Sequence, residues 1–245
     1  MNLVLGCPVA NREWVLPRWF DAIARQTVRP QRLTFVHSGE RGDATWRALL
    51  DGAKLLNVPV QLTHVDRPPH PRTDNARFET LADLRNLLLE LAIDDGYARS
   101  VRCDVFMSLD SDVILTDPTT IERLVGQING YDLVAPRFSL HPNTVDGWAL
   151  NAGFWNPDST RADAGTRRWY RPKPEQAEPV RIDIPMAAWV AKRWVIQSCR
   201  YRWHESGEDL GFAQDLEEYG AHCVWMPEIR AHHVWNERAL EEVPA

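Results

Sequence analysis

Phe106-Met107-Ser108-Leu109-Asp110-Ser111-Asp112-Val113-Ile114-Leu115 is the stretch on which the reading of this chain turns. A short apolar run is followed at once by two carboxylates with one small residue between them. Such a run, bounded by polar turn residues, predicts a buried strand. It carries Asp110 and Asp112 to its carboxyl end, where open α/β sheets bind their ligands. Strand alternation turns Asp110 and Ser111 to opposite faces and brings Asp112 back beside Asp110 as the chain leaves the sheet. Two oxygen donors on one turn suit a hard divalent ion, Mg²⁺ or Mn²⁺, with positions left for phosphate oxygens. A bare Asp-x-Asp is common by chance, and its place at the end of a buried strand gives it weight.

Upstream, the pattern alternates. Asn2 to Val9 reads as a strand closed by Pro8, and Asn11 to Gln26 as a helix with Trp14, Val15, Trp19, Ala22 and Ile23 on one face. Gln31 to His37 is a second strand ended by Ser38-Gly39. Asp43 caps a helix through Leu56, and Val58 to Val65 is a third strand. This order predicts an α/β fold with a mostly parallel sheet covered by helices. A proline-rich loop from Asp66 to Thr73 leads into a helix over Phe78–Ile93, with Leu81, Leu84, Leu88, Leu91 and Ala92 at helical spacing.

Downstream, Asp117-Pro118 predicts the capped start of a helix through Ile128, followed by a strand from Tyr131 to Pro136. Between Arg137 and Val180 glycine and proline dominate while aromatics persist, which predicts long functional loops. A strand over Arg181–Ala187, a helix over Ala188–Ser198, a helix over Gly207–Tyr219 stopped by Gly220, and extended pieces at Ala221–Met226 and Glu228–Trp235 complete the pass. The expected organisation is one compact domain in two halves, residues 1–136 and 137–238, with a tail at 239–245.

Composition narrows the field. A formal net charge of −6 gives no overall basic face for nucleic acid. The arginine clusters (Arg167, Arg168 and Arg171; Arg200 and Arg202) read first as solvated surface. Cys7, Cys103, Cys199 and Cys223 form no CxxC pair, which argues against a zinc ribbon or disulfide scaffold and suits a reducing compartment. No run reaches the roughly 18 apolar residues of a membrane span. Leu3-Val4-Leu5-Gly6-Cys7 resembles a lipoprotein cleavage box but lacks a basic flank and a long enough apolar region, so a cytoplasmic location is expected.

Two further motifs carry chemistry. In Gly207-Glu208-Asp209-Leu210-Gly211-Phe212 both acids fall in the first turn of a helix. The helix dipole alone favours them there; the functional alternative is a carboxylate that takes a proton from an incoming hydroxyl. In Arg230-Ala231-His232-His233-Val234-Trp235 either imidazole could serve as a metal ligand, although a lone late histidine is more often structural. Among 11 tryptophans, Trp148, Trp155 and Trp203 flank polar motifs and could form a wall that stacks on a sugar or base.

Taken in order, these motifs resemble those of GT-A glycosyltransferases, nearest in pattern to glycosyltransferase family 2. The resemblance runs from Val9-Ala10-Asn11-Arg12-Glu13 through Ala24-Arg25-Gln26-Thr27-Val28-Arg29-Pro30, Leu33 to Gly39, Leu84-Arg85-Asn86 and Asp110-Ser111-Asp112. It continues through Ala188 to Arg193, Gly207 to Phe212 and Tyr219-Gly220 to His233, so it covers nearly all of residues 2–235. It implies a GT-A (Rossmann-like) sheet and a nucleotide-diphosphate sugar as donor, with residues 1–136 as the donor half and 137–238 as the acceptor half. Asp110 and Asp112 would hold Mn²⁺ or Mg²⁺, helped by His233 or less directly His232. Asp209, supported by Glu208, would be the base of an inverting transfer. Pro8, Val9, Asn11, Glu13, Arg85 and Ser111 would line the nucleotide.

Family members often carry an acidic cluster after the second strand. This chain has His37-Ser38-Gly39-Glu40 there, and Asp66 is the alternative contact to base or ribose. Trp148, Asn151, Trp155 and Trp203 are the expected acceptor-binding residues. The acceptor stays open among a glycan, a small metabolite and a hydroxymethylated DNA base; for the last, Arg161, Arg167, Arg168, Arg171, Arg200 and Arg202 would have to build a basic groove. Two rivals remain: a nucleotidyltransferase, disfavoured by the glycine-poor Gly6 to Asn11 loop, and a non-catalytic binding module of the same fold.

Overall fold

A computed structural model describes residues 1–67, 75–96, 101–139, 152–158, 167–170 and 178–244. Its first half follows the alternation in the sequence. β1 (Leu3–Val9), α1 (Leu16–Ala24), β2 (Arg32–Ser38), α2 (Ala44–Leu56), β3 (Val60–Val65), α3 (Arg77–Ile93) and β4 (Val105–Leu109) succeed one another. The four strands are parallel in the order β3-β2-β1-β4. One face of this sheet is sealed by α1, where Trp19, Phe20 and Phe35 meet edge to face. The other is sealed by α3 through Leu84, Leu88 and Leu89. At the carbonyl end of α3, the fully buried Arg32 donates to the carbonyls of Ala92 and Asp94, and Arg193 to that of Ile93. Cations there answer the negative end of the helix dipole.

The second half joins the same sheet. β11 (Ala188–Lys192) lies antiparallel between β4 and β6 (Leu133–Ser139), and β12 (Cys223–His233) runs parallel to β6. β5 (Val113–Ile114) pairs antiparallel with the far end of β12. Among the described residues, a small second sheet joins β7 (Ala152–Trp155), β8 (Trp169–Tyr170) and β10 (Ile184–Pro185). The result is a single α/β core with a largely parallel sheet, to which the later strands β11 and β12 contribute.

Several elements differ from expectation. Ala188–Lys192 is a strand where a helix was predicted; only Arg193–Ser198 is helical (α5). An apolar run buried on both faces has the same composition in a central strand and a buried helix, and periodicity does not separate them. The two expected C-terminal strands are one, with the register shift at Met226–Arg230 absorbing Pro227. The expected strand over Arg181–Ala187 splits into β9 (Val180–Arg181) on the main sheet and β10 on the small one. α1 begins five residues late because Asn11 is left-handed (φ 53°) and Arg12 donates its backbone N–H to Thr45.

The predicted helix after Asp117 starts at α4 (Thr120–Gly126); Asp117 instead accepts from the N–H and hydroxyl of Thr119. The expected tail includes part of α7 (Glu237–Glu241), beyond which Val243 is buried. No described helix is long and apolar enough to cross a membrane.

Candidate active site

The turn after β4 is fixed through its backbone. Asp110 N–H donates to the Ala187 carbonyl and Val113 N–H to that of Asp110. The Trp19 indole also donates to the Asp110 carbonyl, and Val234 N–H to that of Asp112 at 2.7 Å. With the main chain held by α1, β11 and β12, the two carboxylates leave in different directions.

Asp110 meets Arg85 of α3 in a two-pronged pair, Nη1 to Oδ1 at 2.9 Å and Nη2 to Oδ2 at 3.0 Å. Asp112 meets Arg12 Nη2 at 3.1 Å through one oxygen and His233 Nε2 at 3.4 Å through the other. Both oxygens of Asp110 are thus engaged by Arg85, while those of Asp112 are met by Arg12 and His233. Among the described residues no three His, Cys, Asp or Glu side chains stand close enough to form a metal cluster.

Asp112 and His233 nonetheless suit an ion as a pair. One oxygen and one imidazole nitrogen 3.4 Å apart lie near the separation of about 3 Å between neighbouring ligands of an octahedral ion. His232 sits one residue back on β12, and strand alternation sends its side chain to the other face.

A cavity of about 520 Å³ opens at the carboxyl ends of β1, β2 and β4. Of the residues picked from sequence, Pro8, Val9, Asn11, Ser38, Arg85, Asp110, Ser111 and Asp112 line it. Glu13, Asp66, Glu208, Asp209 and His233 lie outside the lining; Glu13 accepts from the Thr45 hydroxyl at 2.7 Å, and Asp66 is exposed. Sequence reasoning missed Arg12, Arg77, Thr80, Leu81 and Leu84 as lining residues. The α3 residues carry a helical-face signal that reads simply as core. Arg77 has no ion pair among the described residues, and its Nε is buried without a partner, whereas Arg12 and Arg85 are held by carboxylates.

The acid motif opens α6 (Glu208–Glu218). Gly207, at φ 136° and ψ 150°, adopts a conformation open essentially only to glycine and turns the chain into the helix. Gly211 lets α6 press on the backbone of Arg202, where an added Cβ would lie 2.2 Å from a carbonyl oxygen. Glu208 is buried and accepts from Arg85 Nε at 2.9 Å. Asp209 has one oxygen buried with no partner among the described residues.

Electrostatics set the two acids apart. Burial pushes the Asp209 carboxyl well above the carboxylate range, and the negative charge of Glu208 adds to this more than Arg85 relieves it. Burial also disfavours charge on Asp112, but the hydrogen bond and charge of His233, with Arg12, outweigh it and hold that carboxyl low. His233 is correspondingly raised: burial opposes its charge, and Asp112 overrides burial.

Of the expected acceptor residues, Trp155 is buried against Ile184, Leu210 and Ala213 and under the Arg167 guanidinium, 4.4 Å from ring centre. It is a packing residue. Trp203 is exposed. Trp148 and Asn151 lie outside the described residues, as do Arg161 and Arg171 of the proposed basic groove. Arg167 of that groove is buried and paired with Glu217, and Arg202 pairs with Asp215.

Neither a family model nor a curated protein matches this chain. Solved structures do. Residues 1–349 of S. aureus TarS in complex with UDP-GlcNAc match over 100% of this chain and 62% of theirs, with 11% identity and a TM-score of 0.61. Glucosyl-3-phosphoglycerate synthase from Mycobacterium tuberculosis, solved with Mn²⁺, UDP and phosphoglyceric acid, matches over 96% of this chain and 71% of its own, with 16% identity and a TM-score of 0.54. The fold is that of the GT-A glycosyltransferases. A197 from STIV also matches, over 97% of this chain and 87% of its own, at 13% identity and a TM-score of 0.51. At such identities the likeness is one of fold, and this GT-A chain spans about 60% of the length of TarS 1–349.

Proposed function

We propose that this chain is a glycosyltransferase that moves a sugar from a nucleotide-diphosphate donor to an acceptor hydroxyl with inversion. The observation that carries the reading is the cavity at the carboxyl ends of β1, β2 and β4, lined by Arg85, Asp110 and Asp112, in a fold whose neighbours were solved with UDP, UDP-GlcNAc and Mn²⁺. The cavity at the ends of β1 and β2 takes the nucleoside between Pro8–Arg12, Ser38 and the first turns of α3. Arg77, without an ion pair among the described residues, faces a phosphate.

Asp112 and His233 would hold a divalent ion, Mn²⁺ or Mg²⁺, and the chemistry it would supply there is electrostatic stabilisation of a departing diphosphate. Asp209 accepts the proton of the acceptor hydroxyl as its oxygen bonds to the anomeric carbon and the bond from that carbon to the diphosphate oxygen breaks. A carboxyl raised by burial is the better base for this at neutral pH, since catalytic groups work best with a pKa near the operating pH. Trp203, exposed beside α6, is offered to the acceptor.

Thermal shift with a panel of UDP-, GDP- and TDP-sugars, with Mn²⁺ or with EDTA, tests the donor site. One donor should raise the melting temperature only with metal, by mass action on the folded state, and Asp112→Asn should abolish the shift. No shift with any donor would remove the reading's main support.

A further inference from the structure

Arg85 joins the turn that carries Asp110 to the first turn of α6. Its Nη1 and Nη2 hold the two oxygens of Asp110, and its Nε donates to Glu208 at 2.9 Å. The side chains of Arg85 and Glu208 are only 7% and 6% exposed, so the bond is made away from water. Beneath the guanidinium lies the ring of Tyr201, 5.5 Å from it. Tyr201 stacks on Phe212 of α6 at 4.5 Å, and Phe212 on Trp189 of β11 at 5.4 Å.

The next residue of α3, Asn86, grips the same segment. It donates to the Tyr201 carbonyl at 2.9 Å and accepts from the Tyr201 N–H at 2.8 Å. Two successive residues of one helix thus fix residues 201–208 against the turn that carries Asp110.

Resting on the transferase reading above, we infer that Arg85 is a positioning residue: one planar guanidinium sets the Asp110 turn and the start of α6 in a single frame, so that Asp209 is aimed at the donor's reacting carbon. Geometry rather than charge alone is what the site uses. A guanidinium presents donors in a rigid fork on three sides, and an ammonium at the same place keeps the charge but cannot make the paired bonds to Asp110 and the separate bond to Glu208 together. Burial disfavours the charge on Arg85, and Asp110, Asp209 and Glu208 more than offset it. Small misplacement of a base costs rate far more than it costs donor binding.

The test is release of UDP from UDP-GlcNAc and UDP-glucose by the whole chain with Mn²⁺ and water as acceptor, with Arg85→Lys, Glu208→Gln and the double variant beside wild type. Arg85→Lys should lower kcat by about 100-fold, a larger factor than its effect on donor KM. Glu208→Gln, which keeps the shape of α6, should show the same split, and the double variant should be little worse than either single change, as expected for residues acting as one unit. Unchanged kcat in Arg85→Lys, a loss lying wholly in KM, or additive losses would overturn the inference while leaving the transferase reading standing. If Arg85→Lys fails to fold by its melting curve, Glu208→Gln decides alone by the same criterion. If neither sugar is hydrolysed by wild type, the same variants are compared on the UDP-, GDP- or TDP-sugar that shifts the melting temperature, and no nucleoside diphosphate release from any of them would defeat the transferase reading and the inference with it.

Discussion

Asp112 and Asp209 are two buried carboxylates, and the protein treats them in opposite ways. Asp112 leaves a turn pinned by three elements and is met by Arg12 on one oxygen and His233 on the other. Asp209 enters the first turn of α6 with one oxygen buried and unpartnered among the described residues, beside the charge of Glu208. Burial raises both, and only the partners differ. The pair teaches that a group's neighbours, more than its depth, decide whether it stays charged as a ligand or waits as a base.

Removing the base should have the largest effect. Asp209→Asn is expected to lower the rate of transfer or donor hydrolysis by about 10²- to 10⁴-fold, measured by UDP release, with metal-dependent donor binding retained. Loss of binding and rate together would erase the distinction between the two acids. The wild-type rate should also rise with pH along a limb above the ordinary carboxylate range, because Asp209 works only when deprotonated.

A smaller effect tests the frame that holds Asp209. In Gly211→Ala the new Cβ meets the Arg202 backbone rather than a yielding side chain. The expected cost is about 1–3 kcal/mol of stability from overpacking, read by denaturant melts, with α6 displaced and the rate lowered. Wild-type stability in this variant would mean that α6 is not pressed against residue 202.

The smallest effect separates two tryptophans that look alike in sequence. Trp203→Ala, at an exposed position, should change stability by no more than about 0.5 kcal/mol, and any kinetic change should lie in acceptor KM. Trp155→Ala should cost about 3–5 kcal/mol, as truncation of a buried aromatic does.

The same contrast marks what the sequence discloses. The Asp110-Ser111-Asp112 turn and the strands before it are legible because β and α periods alternate cleanly from Leu3 to Ile93. β11 is not, because the four apolar residues before Lys192 carry no period that tells strand from helix. Arg85 stands out in the sequence only by resemblance, and its bonds to Asp110 and Glu208 span 25 and 123 residues. Contacts at that separation exist only once the sheet and α6 are assembled. Arg12 was passed over between Asn11 and Glu13; the left-handed turn at Asn11 precedes its reach to Asp112.

The opposition of the two carboxylates is best tested by the melting temperature of wild type, Asp112→Asn and Asp209→Asn between pH 5 and pH 8. A carboxyl whose pKa is raised on folding binds its proton more tightly in the folded state, so its ionisation removes stability as pH rises above the unfolded value. Asp209→Asn should therefore melt higher than wild type at pH 8, by about 2–4 °C for each kcal/mol recovered, with the gain shrinking toward pH 5. A depressed carboxyl gives stability at pH values above its unfolded value, so Asp112→Asn should melt lower than wild type across the range. If both variants melt lower at pH 8, Asp209 is held as an ordinary paired carboxylate and the account of the site is wrong.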